Sequence, residues 1–306
     1  MISRRRFLSI SASMALSSAL PAAAAQAWRG NAFGAKVSIE LTGNKLATQP
    51  ALAAALDTIR RMEKFFSLYD PASALSALNR TSSLKMPPEF ARLVGICDEI
   101  HRLTDGLFDP TVQPLFAAML QSGGELSEAE RQHFRPIVGW ENISRVGSEI
   151  RFAQPGMALT FNGIAQGFAT DRVTDVLAAH GFENAVVNIG EYRVGNDPAS
   201  ITIENSNGKE LARPKLTNRA IATTSATGYL FADGAGHILR PDLRDGKIRW
   251  KTVSVTAETA AMADGLSTAL ALTQGDAMAR SLHERGCIQA ALLEDLSGNV
   301  IEVRPL

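Results

Sequence analysis

The stretch T-F-N-G-I-A-Q-G at residues 160–167 marks the point where an apolar segment turns into a helix. Its glycines allow the backbone to approach another group closely. The N-terminus of the helix that follows favours an anion such as a phosphate. The glycine spacing differs from that of Walker and dinucleotide-binding loops. Helix capping with tight packing explains the same residues equally well, so both interpretations stay open on this stretch alone.

Short strands and longer helices surround this stretch in irregular order. Apolar residues three and four apart predict helices at residues 50–66, 90–103, 167–180, 257–272 and 276–285. Apolar runs and alternation predict strands at 37–41, 185–189 and 253–256, two strands within 150–161, and a hairpin of 290–293 with 300–303. The polar segment 121–130 is predicted to be a surface loop or a short helix. Because no regular β-α-β alternation is present, the pattern indicates an α+β fold.

Two further stretches combine residue types that suit a ligand. The loop T-D-G-L-F-D-P-T-V at residues 104–112 joins two predicted helices, and it can offer backbone N–H groups and an aromatic face. A simple helix–helix connection explains it as well. In A-D-G-L-S-T at 263–268, Asp264 and Thr268 are four residues apart and share one helical face. A carboxylate and a hydroxyl suit Mg²⁺, although a polar stripe on an exposed helix has the same appearance.

The N-terminus has the form of an export signal. S-R-R-R-F-L at residues 3–8 is followed by an apolar stretch and by A-Q-A at 25–27. This pattern predicts a twin-arginine signal peptide over residues 1–27, cut before Trp28, and a periplasmic mature protein over residues 28–306. The apolar stretch is shorter than the ~20 residues that span a bilayer, which argues against a membrane anchor. No later stretch is apolar for long enough to span a membrane after the signal is removed.

Charge and cysteine content narrow the class of protein. The chain has 31 basic and 31 acidic side chains, and the signal takes three of the basic ones. This balance gives no support for nucleic-acid binding. The two cysteines, Cys97 and Cys287, are free to pair outside the cytoplasm, but cysteines are more often buried small residues.

These stretches, taken in order, resemble the FAD:protein FMN transferase (ApbE) family. The family motifs T-D-G-x-F-D-P-T, D-x-G-G-I-A-K-G, N-I-G-G-D, A-T-S-G, H-I-x-D-P and A-D-A-L-A-T all have counterparts here. F-G-A at residues 33–35 and F-S-L-Y at 66–69 resemble its early segments. The resemblance implies a two-lobed ApbE-like α+β fold, with mixed sheets and flanking helices, over nearly the whole of residues 28–306.

The resemblance also implies an activity and its residues. Such enzymes cleave FAD, release AMP and attach FMN through a phosphodiester to a threonine or serine of a partner flavoprotein. The backbone carbonyl of Gly163 and the side chains of Asp264 and Thr268 would hold Mg²⁺. His237 would transfer a proton together with Asp264, although a structural histidine is equally compatible. The FAD site would consist of Phe33, Tyr69, Gly106, Leu107, Phe108, Thr160, Gln166 and Ile238.

Several positions depart from the family pattern. Thr160 stands in place of an aspartate, Gln166 in place of a lysine, and N-I-G-E-Y at 188–192 in place of N-I-G-G-D. This form resembles an exported branch associated with nitrous-oxide reductase maturation, whose acceptor would be an exported or membrane-anchored flavoprotein. The two uncharged residues leave two alternatives open, a non-catalytic FAD or FMN carrier and an FAD pyrophosphatase.

The twin-arginine assignment predicts the effect of a charge-preserving substitution. Replacing Arg4 and Arg5 together with lysines keeps the positive charge but removes the arginine pair, so the precursor should accumulate in the cytoplasm. Arg6→Lys lies outside the pair and should be exported normally. Immunoblots of cytoplasmic and periplasmic fractions measure both variants, and normal export of the double variant would contradict the assignment.

Overall fold

The computed structural model of the chain describes residues 15–17, 25–42, 45–124, 126–232, 234–244 and 247–304. Its α-helices in these ranges are α1 (Lys45–Phe66), α2 (Ala74–Thr81), α3 (Pro88–Leu103), α4 (Gln113–Ser122), α5 (Glu128–Gln132), α6 (Ala165–Ala179), α7 (Ala260–Leu270) and α8 (Ala277–Glu284). Short 3₁₀ turns lie at Pro110–Val112 and Trp140–Asn142.

An eight-stranded antiparallel sheet forms the centre of the fold. Its order is β15-β14-β13-β12-β8-β7-β3-β2. The strands are β2 (Ala25–Ala32), β3 (Ala35–Thr42), β7 (Val186–Ile189), β8 (Tyr192–Val194), β12 (Arg219–Ser225), β13 (Trp250–Ala257), β14 (Ala290–Asp295) and β15 (Val300–Val303). The predicted C-terminal hairpin is confirmed, with Leu292 opposite Glu302.

Two smaller sheets complete the strand pattern. In one, β9 (Ala199–Glu204) pairs with β1 (Ala15–Ser17), β10 (Glu210–Ala212) and β11 (Lys215–Leu216). The other has the order β4-β6-β5, with β4 (Ser83–Lys85), β5 (Ile143–Val146) and β6 (Glu149–Phe152). Every strand pair in the described residues is antiparallel, because hairpins and long returns connect the strands. The α+β class is confirmed, whereas the expectation of mixed sheets is wrong.

The helices cover one face of the central sheet and the β9 sheet covers the other. Successive residues of β12 point to opposite faces of the sheet. Ala222 belongs to the core on the helix side, and Ile221 belongs to the core under β9. On the helix side α6 lies between α1 and α7, and α7 packs on β12 and β13. Phe66, Phe90, Phe161 and Phe168 pack there with ring centroids 5.5–5.7 Å apart, which fixes the start of α6 against α1 and α3.

Most predicted elements are confirmed within a few residues, but one is wrong. Of the two strands predicted within residues 150–161, only the first forms, as β6, and it pairs with β4 and β5. The segment after the turn is buried but not a strand. There the side chain of Asn79 receives the Leu159 N–H at 2.8 Å and donates to the Leu159 carbonyl at 2.9 Å. A side chain thus replaces the partner strand that the apolar alternation suggested.

The predicted signal peptide lies partly outside the described residues. Residues 15–17 form β1, and β2 begins at Ala25, before the predicted cut at Trp28. None of the helices in the described ranges is long and apolar enough to cross a membrane. Cys97 is buried, Cys287 is partly exposed, and both thiols are free.

The start of α7 depends on a carboxylate from α6. Asp171 receives the N–H groups of Ala260 and Ala261 at 2.8 and 2.9 Å. Asp171→Ala leaves both donors without this acceptor, so the free energy of unfolding should fall by about 1.5–3 kcal/mol. Asp57→Ala on α1 removes an exposed carboxylate paired with Arg61, and it should change stability by less than ~1 kcal/mol. Urea unfolding measures both, and equal effects would contradict the capping role.

Candidate active site

A single cleft brings the predicted site residues together. It has a volume of about 340 Å³, in the range of small-molecule sites. Of the predicted residues, Phe33, Tyr69, Leu107, Phe108, Thr160, Gly163, Gln166, His237, Ile238, Asp264 and Thr268 line it. Gly106 is not a lining residue; it sits next to Leu107 with φ +82°, where it shapes the loop.

The loop at residues 104–112 is held rigidly, as its sequence suggested. Thr104 is fully buried and its hydroxyl accepts the Phe108 N–H at 3.1 Å. Asp109 accepts hydrogen bonds from the N–H and hydroxyl of Thr111, at 2.8 and 2.6 Å, and from the N–H of Trp140 at 3.0 Å. The buried carboxylate of Asp109 therefore fixes the loop, and it presents Leu107 and Phe108 to the cleft.

The glycine stretch serves packing and the site at once. Gly167 is where α6 meets α7, because a Cβ at this position would lie 2.3 Å from the carbonyl oxygen of Ala260. The Gly167 N–H donates to Asp264 Oδ2 at 3.0 Å. Four residues earlier, the Gly163 carbonyl lies 3.5 Å from the hydroxyl oxygen of Thr268. The tight packing expected of this stretch is therefore confirmed, whereas anion binding at the helix N-terminus stays a prediction.

Asp264, Thr268 and Gly163 line the same cleft, and the Thr268 hydroxyl oxygen lies 3.5 Å from the Gly163 carbonyl. Asp264 is 5% exposed, and burial raises its pKa to about 7, while the hydrogen bond from Gly167 acts in the opposite direction. Within the described residues, no three His, Cys, Asp or Glu side chains cluster as metal ligands. A cation bound to Asp264, Thr268 and the Gly163 carbonyl would contact one carboxylate and two neutral oxygens from these three groups. This set fits Mg²⁺, which binds through one or two carboxylates and completes its shell with water and substrate phosphates.

The charged side chains that line the cleft are all acidic. They are Glu63, Asp109, Glu191 and Asp264, and no lysine or arginine lines it within the described residues. Such a surface repels a diphosphate unless a cation lies between them. Two buried polar atoms of the lining, Gln113 Oε1 and Ser225 Oγ, have no hydrogen-bond partner in the described part of the chain. Buried polar atoms are normally hydrogen-bonded, so these two favour a bound ligand.

The two uncharged residues that differ from the family pattern, Thr160 and Gln166, each contact a neighbouring loop. Gln166 lies against the turn between β7 and β8, where a Cβ on Gly190 would come within 2.8 Å of its amide group. Thr160 donates its N–H to the Pro110 carbonyl at 2.9 Å, and its hydroxyl accepts the N–H of Asn162 at 3.2 Å. Both residues therefore connect the glycine stretch to neighbouring loops at the rim of the cleft.

His237 is held in one tautomer. Its Nδ1 lies 3.2 Å from the Tyr229 carbonyl, which can only accept, so Nδ1 carries the proton. Burial lowers the pKa of His237 to about 4, so the ring is neutral at pH 7 with an acceptor lone pair on Nε2. The pKa of His237 falls because removal of the ring from water disfavours its charged form. Its proposed part in proton transfer stays a prediction.

One lining residue was not singled out as functional by the sequence. Glu191 appeared only as a departure in N-I-G-E-Y, yet it is 4% exposed and lines the cleft. Burial, and next the Asp264 carboxylate, raise the pKa of Glu191 well above its usual value. The sequence signal for Glu191 is a charged residue at a position where the family pattern has a glycine, directly after Gly190.

Comparison with known proteins gives one family. The model of the ApbE family matches residues 33–292. A curated FAD:protein FMN transferase of Chlamydia muridarum is 27% identical over 228 residues, which cover 68% of this chain and 71% of that protein. The apo structure of the flavinyl transferase ApbE of Pseudomonas stutzeri has a TM-score of 0.80 at 25% identity, over 92% of this chain and 95% of that one. The apbe protein of Thermotoga maritima has a TM-score of 0.81 at 23% identity, over 92% and 97%.

The close approach at Gly167 predicts a difference between two glycine substitutions. Gly167→Ala places a methyl group against the Ala260 backbone and should lower the free energy of unfolding by about 1–3 kcal/mol or more. Gly95→Ala in α3 meets no atom within 4 Å and should be neutral, or stabilising by about 0.5–1 kcal/mol. Chemical denaturation measures both. A tolerated Gly167→Ala would show that the helices can separate there at little cost.

Proposed function

The chain belongs to the ApbE family, and we propose that it acts as a magnesium-dependent FAD:protein FMN transferase in the periplasm. The observation that carries this proposal is the meeting of Asp264, Thr268 and the Gly163 carbonyl in a cleft lined by acidic and apolar side chains. The reaction would join FMN through a phosphodiester to a threonine or serine of an exported flavoprotein and release AMP. The acceptor oxygen forms the new bond to the flavin-side phosphorus, and the bond between this phosphorus and the bridging oxygen breaks. The bridging oxygen leaves as part of AMP, and the proton of the acceptor hydroxyl is released to solvent or to the leaving phosphate.

The apolar wall of the cleft suits a flavin ring. Phe33 is held with φ +50° by a hydrogen bond from its N–H to Glu63 Oε1 at 2.9 Å. Tyr69 is 43% exposed and Leu107 lies across the same cleft. A planar apolar ligand that covers exposed aromatic surface of this kind removes it from water, which favours binding. These residues would therefore bind and orient FAD with its diphosphate directed toward the glycine stretch.

The diphosphate requires positive charge that the lining residues lack. Gln166 is uncharged, and no lysine or arginine is among the described lining residues. Compensation of the diphosphate charge would therefore depend on Mg²⁺ held by Asp264, Thr268 and the Gly163 carbonyl. When bound, Mg²⁺ supplies the charge neutralisation and the Lewis acidity that phosphoryl transfer needs. His237, neutral with Nε2 as an acceptor, can orient the acceptor hydroxyl through a hydrogen bond.

The predicted export signal supports a class of acceptor protein. A twin-arginine leader would deliver this protein to the compartment where an exported or membrane-anchored flavoprotein is matured. The form T-F-N-G-I-A-Q-G favours an acceptor of the nitrous-oxide reductase system.

Gln166 and Thr160 favour a non-catalytic flavin carrier as the second candidate, since neither provides charge at the diphosphate. The cation ligands favour the transferase, because a carrier has no need of them.

Neutralising the cation carboxylate tests the proposal. The purified protein is mixed with FAD, Mg²⁺ and an exported acceptor flavoprotein, and the intact mass of each protein is measured. The parent should produce a covalent FMN adduct, whereas Asp264→Ala should reduce its formation at least ~100-fold, as expected for loss of charge stabilisation in the transition state. Asp175→Ala removes an exposed carboxylate of α6 and should leave adduct formation unchanged.

Three results distinguish the candidate functions. A mass adduct that depends on this protein supports the transferase. Free FMN and AMP without an adduct indicate an FAD pyrophosphatase. FAD binding without turnover, for every exported acceptor of the same organism, indicates the carrier.

A further inference from the structure

Glu191 lies at the turn between β7 and β8, and its backbone is fixed on both sides. Gly190 takes φ +91° and donates its N–H to the Asn188 side chain at 2.9 Å. The Glu191 carbonyl accepts the N–H of Ile189 at 3.2 Å and the hydroxyl of Thr170 on α6 at 3.3 Å. Glu191 is 4% exposed and lines the cleft.

Within the described residues, two buried carboxylates of this cleft each have one oxygen bonded to a backbone N–H and a second oxygen without a hydrogen bond. Glu191 Oε2 accepts the Thr223 N–H at 3.1 Å, which leaves Oε1. Asp264 Oδ2 accepts the Gly167 N–H at 3.0 Å, which leaves Oδ1. One hydrogen bond from a neutral backbone donor does not compensate a buried negative charge, and two such charges also repel each other. The pair therefore needs a cation or a proton.

The two departures from the family pattern meet at this turn. Gln166 packs against Gly190, the residue that precedes Glu191. The family pattern has a lysine at position 166, which would place a positive charge beside the turn. It has a glycine at position 191, which carries no charge. Here the positive charge is absent and a negative charge is present, so both changes make the cleft more negative. A more negative cleft weakens the binding of a bare diphosphate and strengthens the binding of a divalent cation.

We infer that Glu191 supplies a second carboxylate toward the divalent cation held by Asp264, Thr268 and the Gly163 carbonyl. The inference rests on the cation site of the proposed function, but not on the transfer of FMN. Divalent cations that prefer oxygen are bound more tightly as the number of carboxylates increases. Glu191 therefore allows the protein to bind the cation before FAD arrives, without help from the diphosphate.

The test measures cation binding without FAD. Mn²⁺ is used as the probe, and electron paramagnetic resonance of free Mn²⁺ gives the Kd of the full mature chain. Glu191→Gln keeps an oxygen that can accept the Thr223 N–H but removes the charge, and its Kd for Mn²⁺ should rise at least tenfold, as for a lost metal-site partner. Glu294→Gln on β14 neutralises another buried glutamate, which bonds to Asn205 and Thr252 away from the cleft, and should leave the Kd unchanged.

A second measurement separates a ligand from a structural residue. Saturating Mn²⁺ should raise the Tm of the parent by more than the Tm of Glu191→Gln. If Glu191→Gln fails to fold, Glu191→Asp keeps the charge on a shorter side chain and should still bind Mn²⁺ more weakly than the parent. A Kd within twofold of the parent in the folded variant, or no Mn²⁺ binding by the parent at millimolar concentration, would overturn the inference.

The same data distinguish this inference from the proposed function. Loss of Mn²⁺ affinity in Glu191→Gln supports the inference even if no acceptor protein receives FMN. Formation of the FMN adduct by the parent, with unchanged Mn²⁺ affinity in Glu191→Gln, refutes the inference and leaves the transferase standing.

Discussion

The contact between Gly167 and Asp264 is the constraint on which the site depends. Because Gly167 has no side chain, α7 reaches the backbone of α6, and Asp264 Oδ2 receives the Gly167 N–H. One helical turn further along α7, Thr268 faces the Gly163 carbonyl. Asp171 anchors the first amides of α7 from the same helix. The helix α7 and the turn that leads into α6, which are far apart in sequence, thus together place three oxygen atoms in the cleft.

This geometry has a cost in the absence of a cation. Burial raises the pKa of Asp264 from 3.8 to about 7, so the folded chain holds a proton there that the unfolded chain has released. Between these two pH values the folded state binds more protons than the unfolded state, and stability therefore falls as pH rises through this window. Above pH 7 the penalty is complete, and a divalent cation offsets it by taking the place of the proton. Cation binding and stability are coupled through the same carboxylate.

Local patterns in the sequence account for most of the fold, and tertiary contacts explain where they fail. Gly181 ends α6 with φ +84°, as its type and position indicate, and the spacing of apolar residues locates the long helices. Met157, Leu159 and Phe161 alternate like a strand, but Asn79, from a distant helix, satisfies the Leu159 backbone. Nothing near residue 159 signals that bond. The resemblance located the cleft residues, whereas the low pKa of His237 arises from burial that no local pattern predicts.

The acidity of the cleft bears on the choice between transferase and carrier. A carrier must bind FAD reversibly, and acidic side chains beside the diphosphate weaken that binding unless a cation is present. A transferase benefits from the same arrangement, because the charge that a cation provides is most valuable when negative charge moves onto the leaving AMP. Glu191 and Asp264 share the cleft with no lining lysine or arginine in the described residues, so the full compensation rests on the cation. Under the proposed function, the metal would supply the positive charge that a lysine at position 166 would otherwise provide, which is compatible with catalysis.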